Sequence, residues 1–208
     1  MANTDFPRGL IPLRWPSVPC NYYAVDTTND IYLGQAVSLL ASGYVAGVGT
    51  NTGVTLALGV AIGFAGTKKR GLATSDPFLD ASDLTPPTPT SDTGDRFVLV
   101  ADDPNQEFVV QEDTGGTALT QASAGAACDL LFRGAGANVV NGNDDTGWAN
   151  IEVDRSTIVT TTGAFVQLMR LYDTINVDGT ENGVGNYGKW IVKLLHHQNK
   201  GANVVPVV

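Results

Sequence analysis

Residues 97–113 read FVLVADDPNQEFVVQED. Apolar and β-branched side chains fill Arg96–Ala101 and Glu107–Gln111, and the Asp102-Asp103-Pro104-Asn105 between them is rich in turn formers. The stretch therefore predicts two strands joined as a hairpin-like pair, and a chain that is mainly β. Working outward, the same alternating or continuous apolar pattern recurs at Tyr22–Asp26, Gln35–Ser42 and Val54–Phe64 on one side. On the other it recurs at Trp148–Val153, Ile158–Thr162, Phe165–Tyr172 and Lys189–His197. Thr117–Phe132 (TALTQASAGAACDLLF) is the exception: an alanine-rich body behind Thr120, placed to cap it, predicts a helix, with Gly125 interrupting. The expected fold is a β-barrel or β-sandwich with one short helix, an extended N-terminal arm and a C-terminal tail.

Composition points the same way. The 208 residues include 24 Gly and 10 Pro, which favour many short strands and turns over long helices. Hydrophobic residues make up 43%, enough to exclude a disordered chain, while charged residues are only 16% against roughly 25% in ordinary soluble domains. The two cysteines, Cys20 and Cys128, match no metal or redox spacing and read as reduced, partly buried thiols. The start, MANTDFPRGL, lacks the pattern of a secretory signal. The longest apolar run, residues 54–64, falls short of the roughly 20 residues of a spanning helix, so no membrane partner is expected.

Three sections follow from the punctuation of the chain. Residues 1–20, MANTDFPRGLIPLRWPSVPC, carry Pro7, Pro12, Pro16 and Pro19, which forbid a helix and predict an extended arm. Such an arm covers either the protein's own sheet or a neighbouring subunit. Residues 21–197 form the β-rich domain, interrupted by a Pro-rich loop at 75–94, and residues 198–208 are a tail with an apolar end. A second long connection, 174–187, holds the turn signals Asp178-Gly179 and Asn182-Gly183.

Net charge is −9, with 21 acidic and 12 basic side chains, and ten of the carboxylates lie between Leu72 and Asp113. A nucleic-acid partner would need a basic face, and the only basic run is Lys68-Lys69-Arg70, which reads as a solvated turn. No catalytic set, metal site or cofactor site emerges. His196 and His197 are adjacent, so a strand would send them to opposite faces. Asp102, Asp103, Glu107, Glu112 and Asp113 form the densest carboxylate cluster; the bland reading is turn formation, the sharper one a cation site or an acid/base pair. A hydrolase using Asp102, Asp103 or Glu107 and a glycan- or host-surface-binding module presenting Trp148 or Tyr187 are the competing functional classes.

Several phrases, taken in order, resemble capsid decoration (cement) proteins of tailed bacteriophages: FPRGLIPLRW at 6–15, ALGVAIGF at 57–64, FVLVADDPNQEFVVQED at 97–113, LTQASAGAACDLLF at 119–132, IEVDRSTIVTT at 151–161 and KWIVKLLHHQ at 189–198. The resemblance implies a β-rich, non-enzymatic structural protein made in the host cytoplasm. It would sit on the outer surface of the virion head, bridging major capsid protein subunits as a dimer or, with preference, a homotrimer. It carries nothing over to the loops 75–94 and 174–187. The acidic balance is consistent with an outer position, because packaged DNA would repel this chain. The expected capsid- or subunit-binding residues are those of the arm: Phe6, Leu10, Ile11, Leu13 and Trp15 as apolar anchors, with Arg8 and Arg14 pairing acidic groups.

Overall fold

The computed structural model describes residues 3–14, 19–25, 30–48, 56–65, 97–132, 142, 146–159, 164–176 and 178–200. The described residues include the strands β1 (Ile11–Pro12), β2 (Asn21–Ala24), β3 (Ala36–Leu39), β4 (Val45–Gly47), β5 (Gly59–Ala65), β6 (Phe97–Ala101), β7 (Glu107–Gln111), β8 (Ala127–Phe132), β9 (Ile151–Val159), β10 (Val166–Leu171) and β11 (Lys189–Leu194). They form two antiparallel sheets, one ordered β1-β7-β11-β10-β8-β9 and the other β2-β6-β5-β3-β4. The protein is mainly β, as the alternation predicts, and its two sheets are compatible with a sandwich. Among the described residues neither sheet is closed into a barrel. Val25 and Val45 make one parallel bridge between the ends of the smaller sheet, and Glu112 and Val153 make another beside the larger one.

Side-chain alternation sorts the residues between two cores. Trp190, Val192 and Leu194 of β11, Phe108 and Val110 of β7, Cys128 and Leu130 of β8, and Val166 and Leu168 of β10 face a core shared with Val60, Ile62 and Ala101 of the smaller sheet. The opposite face of that smaller sheet covers a second core of Val37, Leu58, Ala61, Phe64, Val98 and Val100, with Val25, Ile31 and Val45. A register shift between Ala61 and Gly63 lets β5 serve both: Gly63 pairs with Leu99, and Phe64 then pairs with Val98 on the second-core side.

The hairpin expected at 97–113 does not form. β6 lies between β2 and β5, and β7 lies between β1 and β11, so each has both edges occupied by strands distant in sequence. The turn itself is present: Asp103 Oδ1 accepts the Asn105 N–H at 2.8 Å, and the Gln106 N–H reaches the Asp103 carbonyl at 2.9 Å. The chain uses it to cross between sheets. Asp102 fixes the crossing point, accepting the Tyr23 hydroxyl at 2.5 Å and the Asn21 side-chain amide at 2.8 Å.

The helix expected over Thr117–Phe132 is also replaced. Only Gln121–Ser123 turns, as a short 3-10 segment after Thr120, whose N–H donates to Ser123 Oγ at 3.0 Å. Gly125 adopts φ +90°, outside helical geometry, and Ala127–Phe132 runs on as β8 with Cys128 and Leu130 in the shared core. Alanine's helix propensity is a weak preference that sheet burial overrides. Residues 151–159 are one strand, not the ends of two, and β11 stops at Leu194, short of His196 and His197. The Pro-rich loop 75–94, Lys68–Arg70, Trp15 and most of the tail lie outside the described residues.

Candidate functional site

The N-terminal segment is built into the larger sheet. Ile11 and Pro12 pair with Val109 and Phe108, and the Leu13 N–H donates to the Glu107 carbonyl at 2.8 Å. Proline is tolerated here because β1 is an edge strand. One step earlier the segment crosses the chain at Gly34, where the Leu10 N–H donates to the Gly34 carbonyl at 2.9 Å. Gly9 and Gly34 both have positive φ, +64° and +79°, and a Cβ on Gly9 would stand 2.5 Å from the Gly34 carbonyl oxygen. Only glycine permits that approach. At its start, the Asn3 side-chain amide donates to the carbonyls of Gly183 and Asn186 at 2.9 and 3.0 Å, and its oxygen accepts the Gly183 N–H at 3.1 Å. The loop 174–187 is therefore the dock for residues 3–4.

This placement divides the arm residues singled out by the sequence. Leu10 is fully buried in the shared core, so it anchors the segment to its own domain and is not available to a partner. Phe6, Arg8, Ile11, Leu13 and Arg14 instead line one groove of about 490 Å³, together with Val109, Gln111, Tyr172 and Lys189. Phe6 is 43% exposed, and the exposed Ile175 and Val184 lie on the 174–187 loop to which the segment is tied.

The groove is cationic. The Arg8 guanidinium carbon sits 4.3 Å from the Phe6 ring centroid and 5.9 Å from that of Trp148, while its Nε is buried without a hydrogen-bond partner. Lys189 Nζ donates to the neutral Asn176 Oδ1 at 2.9 Å. Burial first, and then the charge of Arg8, pull the Lys189 pKa below its ordinary value, with Asp178 opposing. Gln111 braces the rim: its oxygen accepts the Phe6 N–H at 2.9 Å, and its amide donates to Asp5 and Glu152 at 2.9 and 3.0 Å. The sequence reading missed Gln111, Tyr172 and Lys189 because they are distant from the arm in sequence and no local motif joins them to it.

The carboxylate cluster is dispersed. Asp102 and Asp103 hold the crossing between sheets, and Glu107 faces Lys193 at 3.7 Å. Glu112 is fully buried, accepting the Trp190 indole N–H at 3.1 Å and facing Arg155 at 3.4 Å. Burial pushes its carboxyl up to about 7, against the opposing pull of Trp190 and Arg155. Arg155 is held by the carbonyls of Gly115 and Thr114 and by Asn186 at 2.5, 2.6 and 2.9 Å, so this knot ties the 112–115 turn to the 174–187 loop region. Among the described residues no three His, Cys, Asp or Glu side chains gather as a metal site would require.

His197 is buried and bridges to Ala57. Its Nδ1 accepts the Asn199 N–H at 3.1 Å, and burial holds its pKa below the usual histidine value. Trp148 is half-buried beneath Arg8, and Tyr187 is half-buried with φ +64°. Both cysteines are free, Cys128 buried and Cys20 partly so. Burial, reinforced by Asp129, Asp154 and Glu112, raises the Cys128 thiol to about 12.

Comparison with protein families, with characterised proteins and with solved structures finds no match to this chain.

Proposed function

We propose that the protein is a decoration protein of a tailed-bacteriophage head, attached to the outer surface of the shell and reinforcing contacts between major capsid protein subunits, with a homotrimer as its working state. The observation that carries this reading is the groove at the N-terminal segment. Exposed apolar side chains beside cationic ones, in a chain of net charge −9, make a surface that gains by being covered. The sequence phrases that resemble decoration proteins include the segment itself, FPRGLIPLRW, and β11, which supplies Lys189. The acidic remainder favours the outside of a DNA-filled shell over the inside.

The mechanism is contact area repeated over many sites. A segment fixed in advance by Gly9, Leu10 and β1 loses little conformational freedom on docking, so more of the burial energy is left for holding subunits together. Co-sedimentation of the full chain with purified heads tests the reading. Saturable binding is expected, with Phe6→Ala and Leu13→Ser weakening it while the protein stays folded. Absence of wild-type binding to heads at micromolar concentration would overturn it.

A further inference from the structure

We propose that the groove is a recognition site for an acidic peptide, an extended segment whose carboxylate side chains are flanked by apolar ones. The inference deepens the reading above, and rests on it only for the source of that peptide. Of the residues that line the groove, three are cations, Arg8, Arg14 and Lys189, and none is Asp or Glu, although acidic side chains outnumber basic ones 21 to 12 in the chain. Among the described residues no carboxylate lies within ion-pair distance of Arg8, Arg14 or Lys189. Arg8 is cushioned by the Phe6 and Trp148 rings, and its buried Nε has no acceptor, so part of the guanidinium's desolvation is uncompensated within the chain. The Lys189 ammonium donates to a neutral amide, and the like charge of Arg8 acts on it with Asp178 opposing. A carboxylate between them would relieve both costs, and a guanidinium fork fits it bidentately.

The shape selects a peptide over a small anion or a nucleic acid. The groove follows β1, and Ile11, Leu13 and Val109 are among the residues that line it, so apolar side chains on either side of the carboxylate have somewhere to go. Its three cations make no stripe along a backbone, Arg14 also borders a neighbouring pocket that carries Asp103 and Glu107, and the chain's charge of −9 repels polyphosphate. Arg14 has φ +72°, an unusual geometry for a side chain this size, and its exposed guanidinium stands at the groove.

The test is fluorescence anisotropy on the full chain with a labelled peptide VDLEV, its amide counterpart VNLQV, and inorganic phosphate as competitor. Saturable binding of VDLEV is expected, with VNLQV about tenfold weaker or worse, and about tenfold losses for Arg14→Gln and for Lys189→Gln at unchanged melting temperature. Arg14 is exposed, so its variant keeps the test valid if Lys189→Gln misfolds. Equal affinity for the two peptides, displacement by phosphate at equimolar concentration, or indifference to both substitutions would overturn the inference. So would self-association that Arg14→Gln abolishes, with no peptide binding. Wild-type protein that binds VDLEV but not heads retires the decoration reading alone; wild-type protein that binds heads but not VDLEV retires the acidic-peptide site alone.

Discussion

Leu10→Ala is the substitution that separates an integrated N-terminal segment from a free arm. Leu10 has no accessible surface and belongs to the core shared by the two sheets, while its N–H is fixed to Gly34 and the next two residues pair with β7. Truncating a fully buried leucine removes its transfer energy and leaves a cavity, about 3 kcal/mol together. For a chain of this length each kcal/mol lowers the melting temperature by about 2–4 °C, so a drop of about 6–12 °C is expected. Phe6→Ala, at a side chain 43% exposed, is the matched control and should cost less than about 1 kcal/mol. Thermal and urea melts of the three proteins measure this directly. A Leu10→Ala protein as stable as wild type would show that the segment is not docked in the free protein, and the pre-formed groove would fall with it.

Two further outcomes follow from buried titratable groups. Burial raises the Glu112 carboxyl from 4.5 to about 7, so between those values the folded chain keeps a proton that the unfolded chain has released. Its contribution is complete below about pH 4.5 and is lost as pH rises through about 7; Glu112→Gln should flatten the decline in urea-melt stability between pH 5 and 8, and an unchanged slope would refute the assignment. Cys128, with its thiol raised to about 12 by burial, should resist alkylation at neutral pH until the protein unfolds, with Cys20 labelled first; mass spectrometry of the labelled peptides would contradict this if Cys128 reacted in the native protein.

Strand existence was legible in the sequence where alternation coincided with burial, as at Glu107–Gln111, where the expected and observed strands coincide. Pairing was not. Alternation at β6 and β7 says which residues face inward but not which strand lies alongside, and the Asp-Asp-Pro-Asn turn serves a crossing between sheets as well as it serves a hairpin. The same limit hid β8: Ala127, Cys128 and Leu130 read equally as the end of an alanine-rich helix, and only the layer beneath them decides for a strand. β1 and β4 are too short for any period to register. For the site, composition marked the arm as sticky, and five of its seven named residues share one groove. That Leu10 points the other way follows from Gly9 and Gly34, an encounter between residues 25 positions apart that no local pattern announces.

A cryo-EM map of purified heads saturated with the full chain is the most direct test. The expected density shows this fold on the outer face of the shell, with the Phe6–Arg14 groove turned toward an acidic segment of the major capsid protein. Heads left bare under saturating protein, or density with that groove facing solvent, would contradict it.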